Sequence, residues 1–294
     1  MDWSVWTSYY YDLPLDKALM EIRNMGLINV ELSSEHMSEI LIVIGKEKFA
    51  DNKNKEIALK NVESSRYKTV SDIKDILSTL NISIIHGHGP FELESDLIIT
   101  VDKWRNYVRN KLEQWYKIYS FLEIPTIVLH PITGDRVNDK RLLGINVEYL
   151  DIVGRLAENY GINIAVENMP SGLYSYIDEI LGVIREVNRE NIGVCVDTGH
   201  ANIEAYRRKV YLAIEEAGTL LKATHIHDND GTSDQHLFPG KGVIDWRKVF
   251  ESLVKIDYRI PLNLEIPGEV RVPVDLRREK MIKFLRKYKD IMHL

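Results

Sequence analysis

Between Thr224 and His236 the chain reads THIHDNDGTSDQH, which places His225, His227, Asp228, Asp230, Asp234 and His236 within thirteen residues. Imidazoles interleaved with carboxylates are the donor set of zinc, manganese and non-haem iron sites, whereas a solvated loop has no reason to alternate them. A pH-sensing surface cluster is the competing reading. Further candidates are scattered along the sequence as His88, His130, Glu167, Asp197, His200 and Glu265. Each follows a short apolar run: ISIIHGH, TIVLHP, IAVENMP, VCVDTGH and LNLEIPG. A carboxylate in such a set can ligate a divalent cation, or it can remove a proton from a carbon beside a carbonyl that the cation polarises. Glu167 and Glu265 form the candidate pair of bases, with His200 as an alternative proton carrier.

The apolar runs read as strands and the segments between them as helices. Strands are expected at 3–7, 28–32, 82–85, 126–129, 162–166, 192–196, 222–226 and 260–264. Helical spacing of apolar residues marks 15–25, 71–80, 96–121, 146–160, 175–187, 203–217, 246–254 and 276–288, while 33–69 reads as polar and less regular. Strands that alternate with long helices pair in parallel, and eight such units predict one α/β domain over 1–294, a closed (β/α)₈ TIM barrel. The rival, a doubly wound open sheet, lacks its phosphate fingerprint, because TSYYYD after the first strand contains no glycine. In a barrel, the residues that end strands three to eight converge on one rim, so His88, His130, Glu167, Asp197, His200, His227 and Glu265 become neighbours. Val, Ile and Leu of the same strands are expected to fill the barrel interior.

Composition narrows the function classes. A net charge of −6 and a pI near 5.9 provide no global attraction to nucleic acid or anionic lipid. The single cysteine, Cys195, excludes an internal disulfide and reads as inert packing inside a strand rather than a nucleophile. No apolar run approaches membrane-span length, and MDWSVWTSYYYD carries an early acid and no basic leader, so a cytoplasmic protein is expected. Trp3, Trp6 and Tyr9 to Tyr11 could wall a sugar ring, although aromatic side chains more often simply pack. Gly240 and Gly242 shape a turn more readily than a phosphate cradle, and Lys241 reads as a solvated charge.

In order, the strings VELSSEH, HGPF, VLHP, VENMP, VCVDTGHAN, HIHDNDGTSDQH with PGKGVIDW, and LEIPG resemble the xylose-isomerase-like barrel superfamily over nearly the whole chain. That superfamily holds sugar and sugar-phosphate isomerases and epimerases, and the apurinic endonucleases called endonuclease IV. Resemblance to the epimerase branch implies one divalent metal on Glu167, Asp197, His227 and Glu265. His227 is preferred to His225 because HDND fits a His-x-x-Asp pattern, with His225 one pleat earlier on the same face. Resemblance to the endonuclease branch implies further metals on His88, His130, His200, Asp234 and His236. One to three ions of Mn²⁺, Zn²⁺, Co²⁺ or Mg²⁺ are therefore expected.

Two functions follow from the resemblance, and a third comes from a different class. The first is a metal-dependent sugar or sugar-phosphate isomerase or epimerase that transfers a proton through a metal-stabilised enediolate, with a small carbohydrate as partner and homo-oligomerisation left open. The second is a multi-zinc apurinic endonuclease. Against it, Phe91 and Glu92 occupy the positions where that branch presents a wedge to the bases, and SSEHMSE after the second strand carries two acids and no arginine. The third, a barrel that binds without turnover, has no use for two placed bases.

Overall fold

The computed structural model describes residues 2–91, 101–133, 140–267 and 271–288. Eight parallel strands, β1 (Trp3–Trp6), β2 (Asn29–Leu32), β3 (Ser83–His88), β4 (Thr126–Leu129), β5 (Asn163–Glu167), β6 (Ile192–Asp197), β7 (Leu221–Ile226) and β8 (Leu262–Leu264), pair in sequence order. β8 closes on β1 in the register Trp3↔Leu262 to Val5↔Leu264, so the protein is a closed (β/α)₈ barrel. Its helices are α1 (Leu15–Asn24), α2 (Ser34–Val43), α3 (Lys55–Val62), α4 (Val70–Leu80), α5 (Val101–Phe121), α6 (Lys140–Glu158), α7 (Ile177–Val187), α8 (Thr198–Ile203), α9 (Tyr211–Ala217), α10 (Trp246–Lys255) and α11 (Val274–Tyr288). Among the described residues no helix is long and apolar enough to cross a membrane.

The aliphatic strand residues do not fill the barrel interior. Ile127, Leu129, Ile164, Val166, Val194, Val196, Ile226 and Leu264 join the main core, together with helix residues such as Leu112, Val153 and Val249. Val128, Ala165, Cys195 and Ala223 form a separate, small-residue cluster on β4 to β7. Strand side chains alternate between faces, and in a parallel barrel the outward face is the one the helices cover, so the large aliphatics go there. The inward series on β5, β6 and β7 continues from Ala165, Cys195 and Ala223 to Glu167, Asp197 and His225. Elsewhere inside, the Ser4 hydroxyl donates to Asn263 Oδ1 at 3.2 Å.

The segment 33–69, which reads as irregular in sequence, contains α2 and α3. α2 shows no helical stripe because it is buried on nearly every side, and its polar groups find internal partners. Glu39 Oε1 accepts from the Tyr67 hydroxyl at 2.6 Å and the Leu15 amide at 3.1 Å, and Ser38 accepts from the Asp51 amide at 3.0 Å. Of the helix expected over 203–217 only α9 forms; Ile203 ends α8, and the turn between the two contains Arg208 with a φ of 62°. Asn202 Oδ1 accepts from the Arg208 amide at 2.7 Å, which stabilises that break. The start of α5 expected at Asp96 lies outside the described residues.

Candidate metal centre

The end of β6 shows how local sequence builds the site. Asp197 caps α8, its Oδ1 accepting from the His200 amide at 2.7 Å, so the DTGH spacing turns His200 back over the strand ends. Asn168 braces the neighbouring strand: its side chain accepts from the Asp197 amide at 2.8 Å and donates to the Asp197 carbonyl at 3.1 Å. Thr198 pins β7 by donating to the His227 carbonyl at 2.8 Å and accepting from its amide at 3.0 Å. Gly199 is required because the His227 ring lies against it; a Cβ there would meet that ring at 1.9 Å.

Donor atoms gather in overlapping groups whose members lie within 4.8 Å of one another. Glu167, Asp197, His225 and Glu265 form one quartet; His88, His130 and Glu167 form a second group. Asp197, His200 and His227, and then His227, His236 and Glu265, complete the rim. Asp234 joins it through Oδ2, 3.3 Å from His200 Nε2 and 2.9 Å from His236 Nε2. All ten candidate residues are thus brought together. It is His225 that enters the carboxylate quartet, with Nδ1 at 3.2 Å from Glu167 and 3.3 Å from Glu265. His227 Nε2 lies 2.9 Å from Asp197 and 3.9 Å from Glu265, and its ring stacks on His236 at 4.0 Å.

The ring orientations match what ligation requires. A carbonyl oxygen only accepts, so the histidine nitrogen facing it keeps its proton and the other nitrogen is the one a cation could take in exchange for a proton. His88 Nδ1 donates to the Gly89 carbonyl at 2.9 Å, His200 Nδ1 to Asn168 at 2.8 Å and His236 Nδ1 to Glu265 at 2.9 Å. Each then presents Nε2. His236 holds this pose with a φ of 46°, a left-handed conformation that costs a non-glycine residue on the order of 1 kcal/mol.

Buried charge sets the electrostatics. Burial opposes ionisation of Glu167, yet His225 and His130 outweigh it and hold the carboxyl well below its usual range. Asp197, likewise opposed by burial, is drawn down to about 2 by His200 and His227. Burial would lower His200, but Asp197, Asp234 and Glu167 push it up to about 10. His236 rises to about 9, against burial, through Asp234 and Glu265. Among the described residues, Glu167 Oε2, Glu265 Oε2, His88 Nε2, His225 Nδ1 and His227 Nδ1 of the site are buried without a hydrogen-bond partner. Burying polar atoms unpaired is costly, and carboxylate and imidazole lone pairs aimed at one another fit a divalent cation.

Other candidates have structural places. Asp228 accepts from the Gly240 amide at 2.9 Å, the Ile244 amide at 3.2 Å and the Trp246 indole at 2.8 Å, which latches the PGKGVIDW turn and explains its glycines without a phosphate. Asp230 closes an exposed turn with Thr232 and Gln235. Trp3 packs on Phe284 at 5.3 Å, whereas Trp6 lies 6.2 Å from His88 on the site side. Phe91 stacks on His88 at 4.6 Å; Glu92 lies outside the described residues. Cys195 is buried, burial raises its thiol, and its Sγ lies within 4.8 Å of donor atoms of Glu167 and His225, a grouping the expectation of inert packing did not foresee. Sequence reasoning missed Glu31 and His86, both fully buried inside the barrel. The available signal was a charged residue within the VEL strand and the first histidine of HGH.

Several known proteins share this chain's sequence or fold. It is 26% identical over 211 residues to the uncharacterized protein MJ1311 of Methanocaldococcus jannaschii, covering 69% of this chain and 58% of that one. It is 28% identical to the probable endonuclease 4 of Mycoplasma capricolum (58% and 61% covered) and 22% identical to the inosose isomerase of Bacillus subtilis (56% and 62% covered). The chain therefore spans about three fifths of the length of these relatives. Two solved structures superpose along nearly its full length: a D-tagatose 3-epimerase-like protein, with a TM-score of 0.73, 21% identity and 100% and 98% of the chains covered, and the IolI protein with a bound zinc atom, with a TM-score of 0.74, 17% identity and 99% and 98% covered. Residues 50–288 match the family described as the xylose isomerase-like TIM barrel, more than half of the chain, and this protein belongs to that family.

Proposed function

We propose that this chain is a divalent-metal-dependent sugar or sugar-phosphate isomerase or epimerase. The observation that carries the reading is the quartet Glu167, Asp197, His225 and Glu265, in which three carboxylates and one imidazole converge in a buried site. Asp197, Glu167 and Glu265, with a histidine of the β7 end, would hold the ion. When bound, a divalent cation polarises a substrate carbonyl and its adjacent hydroxyl, which acidifies the neighbouring C–H bond. Glu167 and Glu265 arrive from β5 and β8, so they can reach a planar substrate from different sides. Removal of a proton by one carboxylate and delivery of another proton to the opposite face by the second, protonated carboxyl inverts a carbon; movement of a proton between adjacent carbons interconverts aldose and ketose. His200 Nδ1 lies 3.4 Å from Glu167 Oε1 and can assist. Similarity to the inosose isomerase and to the epimerase-like fold supports this assignment.

The test is solvent deuterium exchange into ketoses, read at the reacting carbon with saturating Mn²⁺ or Zn²⁺ and with metal occupancy measured in the same samples. Glu167→Gln and Glu265→Gln should each abolish exchange even when fully loaded, because an amide retains a coordinating oxygen but accepts no proton at neutral pH. Near-native exchange in both loaded variants would eliminate the two-glutamate mechanism and turn attention to His200.

A second reading, a metal-dependent phosphodiesterase, draws on the additional donors His88 and His130 beside Glu167 and His200 and His236 around Asp234, and on the endonuclease 4 similarity. Weighing against it, Ser34 to Glu39 form the largely buried start of α2, with acids and no arginine for a nucleic-acid backbone. Incision of a duplex bearing an abasic site should be absent or far slower than enolisation. Efficient incision, lost in Glu265→Gln, would reverse the ranking.

A further inference from the structure

Glu31 on β2 and His225 on β7 lie 194 positions apart in sequence and meet inside the barrel, where neither exposes any surface. Both Glu31 oxygens are 3.1 Å from His225 Nε2. His86 Nδ1, also fully buried, is 3.6 Å from Glu31 Oε2. We infer that Glu31 is a positioning residue that fixes His225 in one tautomer and makes its Nδ1 a ligand of the central metal. The inference rests on the metal-dependent reading above and extends it to a residue outside the proposed ligand set.

A carboxylate accepts and does not donate, so the ring nitrogen facing it carries the proton. Nδ1 is the other ring nitrogen, the one left to give up its proton to a cation, and it points at Glu167 Oε2 (3.2 Å), Glu265 Oε2 (3.3 Å) and Asp197 Oδ2 (4.0 Å). It has no hydrogen-bond partner, nor do the Glu167 and Glu265 oxygens that face it. His225 thus reverses the arrangement of His88, His200 and His236, which anchor Nδ1 on backbone carbonyls and present Nε2. Its anchor is stronger, being an ionised side chain on the opposite wall, and such carboxylate–imidazole pairing raises ligand basicity while locking the ring. His227 has no equivalent: its Nε2 faces Asp197 and its Nδ1 is without a hydrogen-bond partner. Glu31 makes no contact with the quartet's carboxylates in the interactions above and acts through His225.

The test uses the full chain labelled with ¹⁵N-histidine and loaded with ¹¹³Cd²⁺. Scalar coupling between cadmium and Nδ1 of His225 is expected, with Nε2 of the same ring keeping its proton. Competition with a chelator should show Glu31→Gln binding Cd²⁺ and Zn²⁺ roughly 10–100-fold more weakly than wild type, with the barrel's circular dichroism unchanged. Cadmium coupled to His227 and not to His225 would overturn the inference, as would unchanged affinity in a folded Glu31→Gln. Should that variant not fold, the wild-type spectrum still decides, because the tautomer and the coupled nitrogen are read without any substitution. Failure of the wild type to retain either metal would overturn the metal-dependent reading itself, an outcome distinct from metal bound through the wrong ring.

Discussion

Asp197 serves two structures at once. Its Oδ1 caps α8 through the His200 amide, and both its oxygens lie within 3.0 Å of His227 Nε2. Asparagine is an equally good N-cap, so Asp197→Asn should keep the barrel folded while removing the charge that a metal requires. Asp197→Asn and His225→Ala are each expected to bring metal content at the central site close to zero by mass spectrometry, and unchanged stoichiometry in both would sink the ligand assignment. Gly199→Ala should destabilise by about 1–3 kcal/mol in denaturant melts, because its Cβ would overlap the His227 ring. The histidines also predict a pH profile for chelator-treated protein. His200 and His236 are raised to about 10 and about 9 from an ordinary 6.5, since their carboxylate partners outweigh burial. A raised histidine contributes stability that is fully present below pH 6.5 and is lost as pH climbs through the folded values. Melting temperature should therefore fall between pH 7 and 10 without metal, and a flat profile there would refute the charge network.

At the scale of elements, α2 is the informative case. Glu39 sits at its buried centre, where burial raises its carboxyl to about 7 despite the hydrogen bonds from Tyr67 and Leu15. A carboxyl raised from 4.5 contributes stability that is fully present below that pH and is lost as pH rises through about 7. Glu39→Gln should accordingly stabilise the protein at pH 8 by on the order of 2 kcal/mol and have little effect at pH 4. Comparison of urea midpoints at the two pH values checks this; equal effects at both would show that packing, not charge, decides. α4 shows the opposite situation, an element legible in sequence: Thr69 and Asp72 form a reciprocal capping box, and Asn81 ends the helix with a φ of 52°.

For the whole molecule, the site acts as a clasp on the barrel. Its donors come from β3 to β8 or the residues just after them, so an ion bound there contacts strands distributed around the sheet. Binding to the folded state alone stabilises it by mass action, about 2.7 kcal/mol at a free metal concentration one hundred times the Kd. Zn²⁺ or Mn²⁺ should raise the melting temperature of the chelator-treated chain, and the rise should be lost in Asp197→Asn. An equal rise in that variant would place the stabilising ion elsewhere.

Much of this was written in local sequence. The alternation of apolar strands with 3.6-periodic helices is a property of each segment, and eight repeats of it admit little besides a closed parallel barrel. Asp197 and His200, or Asp234 and His236, lie close together in the chain, and it is the resemblance to the endonuclease branch that implies a joint role for each pair. That α2 is a helix was not legible, because a helix buried on nearly all sides loses the polar face that reveals its period. Nor was the destination of the strand aliphatics: alternation separates two faces but does not label which one the helices cover. Glu31 could be seen only as a charge in a strand, since its partner lies 194 residues away and is brought to it solely by barrel closure. The choice between His225 and His227 was of the same kind. Both share a face one pleat apart, and what distinguishes them is the opposite wall of the barrel, whose Glu31 faces His225 Nε2, whereas His227 Nε2 faces Asp197, itself a member of the quartet.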